Sequence, residues 1–279
     1  MLATLSGCDD ALVSQMPQSI SAGGEHTCGL RENGQVVCWG GEWWESSPFP
    51  DDRFTAISSG SSHTCGLREN GQVVCCGNNS SGQADSGGQS LTKISAGAIH
   101  TCGLSESGEA VCWGSNEFGK ATPPPGHFAA ISAGDHHSCG LRENGDAVCW
   151  GWNNDGQATD ITGEAFVTIS AGHNYNCGLR ENGSALCWGW FSMSLDGPYT
   201  AISAGRTGIC ALEADGAPMC WGSSNAVPPD GISLTAINVG DTHTCGLRKN
   251  GEAVCWGDNS RGKATPPAGR FAQPSAASR

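Results

Sequence analysis

The chain has 279 residues, among them 42 Gly, 16 Cys and 10 Trp, and only 15% are charged. Lys and Arg total 14 against 27 Asp and Glu, a formal net charge of −13, which argues against a phosphate backbone as partner. No apolar run approaches the roughly 18 residues that span a bilayer, and so many cysteines are out of place in an ordinary cytosolic chain.

Residues 1–18 form a head outside the repeating part of the chain. Within it, Leu5-Ser6-Gly7-Cys8 resembles the lipobox of bacterial lipoprotein signals. In such a signal the cysteine becomes the acylated first residue. Only seven residues precede Cys8, without a basic segment or a full apolar stretch. Acylation of Cys8 is the expectation if the start is truncated, and an accidental match is the alternative.

From Ser19 the sequence repeats. The phrase ISAGGEHTCGLRENGQVVCWG at Ile20 returns at Ile57, Ile94, Ile131, Ile169, Ile202 and Ile237. The Gly ending each opening phrase recurs at intervals of 37, 37, 37, 38, 33 and 35 residues. Short Val- and Trp-rich runs bounded by Gly, Asn and Pro read as strands, and pairs such as Asn33-Gly34 and Asn70-Gly71 mark hairpins. Seven near-equivalent units without atypical ends favour a closed seven-bladed β-propeller over a capped solenoid. The expected all-β domain covers 19–272, with 273–279 as a tail. Its last segment, Phe271–Ala276, aligns with the unit opening Phe128–Ala133, so closure is expected where the last unit meets Ser19–Ala22.

Fourteen cysteines form seven C-x9-C pairs. Cys28 goes with Cys38, Cys65 with Cys75, Cys102 with Cys112 and Cys139 with Cys149. Cys177 goes with Cys187, Cys210 with Cys220 and Cys245 with Cys255. With Glu32-Asn33-Gly34 as the hairpin loop, Leu30 opposes Val36 and Cys28 opposes Cys38 at a non-hydrogen-bonded site. Cα atoms there lie about 4.5 Å apart, within disulfide range. Seven disulfides and an oxidising compartment are therefore expected. Seven pairs of reduced thiols are the alternative, and zinc fits poorly because no CxxC knuckle occurs. Cys76, in the Trp position of the second unit, is expected to be a buried thiol.

The phrase HTCGLRENGQVVCWGxNxxGQ resembles the regulator of chromosome condensation repeat, with GxxH, LxxxG, VxCWG and NxxGQ recurring in order. The resemblance implies a seven-bladed propeller. It extends to a secreted bacterial branch in which paired cysteines flank the hairpin. That family includes a nuclear exchange factor for a small GTPase and a secreted inhibitor of β-lactamases, so the scaffold alone does not decide function.

The strand order puts the loop after each CWG and the GxxH turn at one pole, here termed the top, and the ENG turns at the bottom. Bottom turns are monotonous, with Arg31, Arg68, Arg142 and Arg180 in equivalent places. Top loops diverge and add aromatics outside the repeat, making Trp43, Trp44, Phe118, Trp152, Tyr175, Trp190 and Phe191 the expected contact residues. Folding of these rings back over the blade tops is the alternative. His26, His63, His100, His137 and His243 recur at one position, which predicts a repeated turn-stabilising hydrogen bond rather than a metal or active site. No GxSxG, P-loop or HExxH motif occurs.

The reading is a non-enzymatic, extracytoplasmic protein-binding propeller without cofactor, metal or nucleic acid, reaching a membrane only through a lipid on Cys8. The partner protein is not specified by the sequence. A lectin-like propeller and a structural module of a larger surface assembly are the competing readings.

Overall fold

The computed structural model describes residues 18–41, 49–222 and 227–274. Seven antiparallel sheets follow one another along the chain, each joining strands in sequence order. Blade 1 comprises Ile20–Ala22, Thr27–Leu30 and Val36–Trp39, and blade 4 comprises Ala130–Ala133, His137–Leu141 and Ala147–Gly151. Blade 5 has Phe166–Ala171, Tyr175–Arg180 and Ala185–Gly189, and adds a fourth strand, Met193–Leu195. Blade 2 runs from Phe54–Ser59 to Val73–Gly77, blade 3 from Lys93–Ala96 to Ala110–Gly114, blade 6 from Ala201–Ala204 to Pro218–Gly222, and blade 7 from Ala236–Val239 to Ala253–Gly257.

The register is the one expected, with Leu30 opposite Val36 and Cys28 opposite Cys38. Every C-x9-C pair is a disulfide, with Cα atoms 4.0–4.1 Å apart. Cys28 is bonded to Cys38, Cys65 to Cys75, Cys102 to Cys112 and Cys139 to Cys149. Cys177 is bonded to Cys187, Cys210 to Cys220 and Cys245 to Cys255. The separation is slightly closer than the roughly 4.5 Å of an unbridged non-hydrogen-bonded pair, because the S–S bond draws the two strands together. One bridge per blade pins the middle strand to the outer one. Cys76 is buried and lies outside the bridges.

Each innermost strand packs against that of the next blade, and the seventh against the first. Two repeated residues bolt these neighbours together. The serine of each ISAG phrase accepts a backbone N–H from the following blade: Ser59 N donates to Ser21 Oγ at 2.8 Å and Ala133 N to Ser95 Oγ at 2.9 Å. At the closing interface Asn238 Oδ1 takes the same role, accepting from Ala22 N at 2.7 Å.

The second bolt is the repeated histidine. His26, His63, His100, His137 and His243 reach the next blade through Nε2, to Thr64, Thr101, Ser138, Asn176 and Thr27 at 2.6–2.8 Å. The expected turn-stabilising bond is thus corrected to a blade-to-blade latch. The turn is already closed by its backbone, as in Gly23 N to His26 O at 2.8 Å. Thr27, Thr101 and Ser138 donate their hydroxyls to backbone carbonyls, and the Asn176 oxygen only accepts. The imidazoles therefore carry the proton on Nε2. Burial lowers His26 to about 3, and His63, His137 and His243 to about 4, from an ordinary 6.5, so all four are neutral at pH 7.

Closure uses both ends of the repeat. Phe271 bridges Arg31, and Ala272 N donates to Leu30 O at 2.7 Å, matching the Ala129 N to Leu141 O bond of blade 4. The Phe271 ring lies 5.7 Å from Trp39, as Phe128 lies 5.9 Å from Trp150. Gly29 leaves room for it: a Cβ there would sit 2.3 Å from the ring. The C-terminal segment thus supplies to blade 1 the large apolar side chain that other blades receive from the residues just before their first strand, Tyr199 and Leu234 included.

Candidate functional site

The loop after each CWG and the GxxH turn of the same blade share the top pole. Trp152 N donates to His136 O at 3.0 Å, Trp190 N to Asn174 O at 2.9 Å, and Asp258 N to Thr242 O at 2.9 Å. This pairing fixes the two loops of one blade side by side, while Phe118 with Trp152 and Asp155 with Asn174 meet across blade junctions. Trp43 and Trp44 lie outside the described residues, as does Cys8.

The remaining expected contact residues divide into two sets. Trp190 is 73% exposed and Phe118 55% exposed, while Trp152 is half-buried. Tyr175, by contrast, is buried and does not reach the surface. It occupies the repeated histidine position, and its hydroxyl contacts the Gly205 and Gly208 carbonyls at 2.9 Å. A tyrosine suits this junction because blade 6 carries Ile209 where other blades offer a hydroxyl or amide. Phe191 packs edge-on against Tyr175, with ring centres 6.2 Å apart, and is half-buried.

Phe118 and Trp152 meet at close to a right angle, their centres 4.1 Å apart. They form one wall of a cleft of about 440 Å³ between blades 3, 4 and 5, completed by His136, Asn154, Asp155, His173 and Asn174. Trp190, a second exposed ring, is tied through its backbone to Asn174 of the cleft. Phe118 holds φ at +62°, as Arg261 does at the equivalent loop position of the seventh blade with +64°.

The polar half of the cleft was not singled out from the sequence. Asp135, His136, His173 and Asn174 fill the two variable positions between the repeated Gly and His, a comparison that would have exposed their departure from Gly24, Ser61 and Ala98. His173 Nδ1 donates to Asp135 Oδ2 at 2.5 Å, and Asn174 Nδ2 donates to Asp155 Oδ2 at 3.1 Å. Burial holds the His136 imidazole below its ordinary range despite the Asp135 carboxylate beside it. On the equivalent turns of blades 6 and 7, Arg206 pairs with Asp241 at 3.7 Å. Burial, followed by the Asp135 charge, pushes the Asp241 carboxyl upward. The walls offer aromatic faces, the imidazoles of His136 and His173, a carboxylate and amides. Such a surface is equipped for recognition.

The bottom pole differs. Arg31 and Arg142 lie 4.2 and 3.9 Å from the centres of Phe271 and Phe128. Arg142 also donates to the carbonyls of His127 and Pro125 at 2.9 and 3.0 Å. Arg68 and Arg180 pair with Asp52 and Glu164. These arginines are spent on holding each hairpin to the segment packed beneath it.

Comparison with known proteins bears on the same architecture. The family model for the regulator of chromosome condensation (RCC1) repeat matches residues 18–42, 54–83, 91–120, 128–157, 166–193 and 234–263, together more than half of the chain. The unmatched unit is blade 6, in which Gly208, Ile209 and Ala211 replace the repeated His, Thr and Gly. Among solved structures, the CRINKLY WD40 ectodomain of the Arabidopsis thaliana receptor kinase ACR4 is 26% identical. Its TM-score is 0.76, over 88% of this chain and 97% of that one. The ectodomain of the Physcomitrella patens receptor kinase CR4 is 27% identical, with a TM-score of 0.75 over 86% of this chain and 72% of that one. Prp20p from Saccharomyces cerevisiae, described with its binding to Gsp1p and histones, is 14% identical. The match covers 96% of this chain and 88% of that one at a TM-score of 0.71. No curated protein matches significantly in sequence.

Proposed function

The chain belongs to the regulator of chromosome condensation repeat family, and from that premise we propose that it is a non-enzymatic protein-binding propeller that works outside the cytoplasm. The contact surface is the top pole, centred on blades 3 to 5. One observation carries this reading: Phe118, an exposed ring at a position the repeat does not require, lines a cleft built from unrepeated residues, and the exposed Trp190 is bonded through its backbone to Asn174 of that cleft. Aromatic anchors beside a recessed pocket are the usual makings of a binding hot spot. The seven disulfides support an oxidising compartment, as does the likeness to two plant receptor ectodomains. The fold itself accommodates protein recognition in Prp20p. Anchorage at a bacterial envelope through an acylated Cys8 completes the proposal, resting on Leu5-Ser6-Gly7-Cys8 alone.

The test is a capture experiment with the purified propeller against extracytoplasmic proteins of its source, read by mass spectrometry and repeated with Trp190→Ala and Arg142→Ala. The expected outcome is a protein retained by the parent and by Arg142→Ala but lost with Trp190→Ala. Retention by Trp190→Ala with loss by Arg142→Ala would reverse the pole. A saturable response on a glycan array with no protein captured would favour the lectin-like reading.

A further inference from the structure

Resting on the binding face proposed above, we infer that the cleft between blades 3, 4 and 5 receives an arginine side chain of the partner protein. The guanidinium would lie against the Trp152–Phe118 corner and donate to Asp155.

The argument starts from charge. Top-pole carboxylates next to a basic residue are already matched: Glu25 with Arg261 at 2.5 Å, Asp258 with Lys263 at 2.8 Å, and Asp241 with Arg206. Asp135 is held by His173. Asp155 is different. Its carboxylate is exposed and meets the neutral amide of Asn174, and no Lys or Arg lines the cleft among the described residues. Lys120 is buried below and directs Nζ at the Asp135 carbonyl, 3.4 Å away.

The repeat supplies an internal comparison. Phe118, Asp155 and Arg261 occupy equivalent loop positions, next to the residue that precedes the latch position of the following blade. At the junction of blades 7 and 1 the chain places its own arginine against a carboxylate, Arg261 on Glu25. At the junction of blades 4 and 5 the carboxylate is present and the arginine is not.

Unspent hydrogen-bonding capacity points the same way. Asn174 Oδ1 and His136 Nδ1 are both buried without a hydrogen-bond partner. A buried acceptor left unmatched is destabilising, so a ligand N–H that donates to Asn174 Oδ1 recovers part of that cost. Guanidinium carries five N–H donors in a plane and stacks on aromatic faces, whereas an ammonium is compact and strongly hydrated. A corner of two rings at 81° beside a carboxylate and an amide suits the planar group. The excess of 27 acidic over 14 basic residues favours the approach of a basic partner surface.

The probe is the peptide acetyl-Gly-Arg-Gly-amide, titrated into the intact protein while the Trp152 indole N–H is followed by NMR. Its citrulline counterpart, which keeps the shape and removes the charge, and its lysine counterpart serve as controls. The expected result is a saturable shift with the arginine peptide and binding at least fivefold weaker with the other two. Asp155→Asn, an exposed isosteric change that leaves the melting transition in place, should weaken the arginine peptide by a similar factor. Absence of a saturable shift, equal binding of the citrulline or lysine peptide, or unchanged affinity in Asp155→Asn would overturn the inference. A captured partner lost with Trp190→Ala but retained in full by Asp155→Asn would also overturn it, leaving the binding face itself intact.

Discussion

The two poles of this propeller are built from the same seven repeats and have opposite characters. At the bottom, the ENG turns present arginines that stack on Phe271 and Phe128 or pair with Asp52 and Glu164. At the top, equivalent loop positions hold Phe118, Asp155 and Arg261, and the rings of Phe118 and Trp190 face solvent. A residue repeated around the ring performs a task needed at every blade, which is structural. A residue that departs from the repeat at an exposed position is available for a task needed once. The contrast teaches where to look, and it can be broken in several ways.

The largest expected effect concerns the repeated interior. The latch histidines stay neutral in the folded protein down to about pH 4, whereas in the unfolded chain they take up protons below their ordinary 6.5. Their folded values are lowered, so the unfolded state binds more protons in this window. The histidines' contribution to stability is therefore constant above pH 6.5 and is lost as the pH falls from 6.5 toward 4, by about 1 kcal/mol per pH unit for each histidine. Denaturant titrations across that range should show the slope, and His63→Gln and His137→Gln should each remove about one histidine's share. An unchanged slope in both variants would place the acid sensitivity elsewhere.

Next comes closure. Phe271→Ala empties a fully buried ring site between Gly29 and Trp39, at a cost of about 3–5 kcal/mol. Truncation after Gly262 also removes the Lys263 carbonyl that accepts from Thr27, and should lower the melting transition further. A transition unmoved by either change would mean that the C-terminal segment does not close the ring.

The disulfides follow. Each bridge spans 10 residues in sequence, so replacing one pair by serines should cost about 2.5–3 kcal/mol on the chain-entropy account. Cys139 with Cys149 and Cys245 with Cys255 are suitable pairs, in a blade that lines the cleft and in the blade that closes the ring. Thiol titration of the unfolded, unreduced protein should find one reactive group, at Cys76, where Cys8 is acylated, and two where it is not. A value near the full complement of cysteines would remove the case for an oxidising compartment.

The smallest expected effect on stability, and the largest on binding, belongs to the top pole. Trp190→Ala should leave the melting transition within about 0.5 kcal/mol of the parent. Once the partner is in hand, the same change should weaken its binding about thirtyfold, with Arg142→Ala near neutral. Unfolding of Trp190→Ala would show that this ring supports the blade.

Much of this was legible in the sequence because the repeat exposes it. The hairpin register places Cys28 opposite Cys38 from the Asn33-Gly34 turn alone, and the likeness of Phe271 to Phe128 locates the seam. The latch was legible as a position but not as a direction: nothing in GxxH says that the ring nitrogen reaches the next blade. Tyr175 was misplaced for a related reason. It stands where other units have the latch histidine, and that position is buried in all of them. The cleft lay furthest from view. Its walls come from residues in different repeats, Phe118 with Trp152 and Asp155 with Asn174, which the ring brings together across blade junctions.

The central claim is that recognition occurs at the top pole, and site-specific photo-cross-linking tests it even while the partner is unidentified. A benzophenone amino acid is placed at position 118 in one sample and at 143, beside the bottom-turn Arg142, in another, each expressed in the source cells. The account predicts a discrete protein adduct from position 118 and none from 143. An adduct from 143 with none from 118 would contradict it.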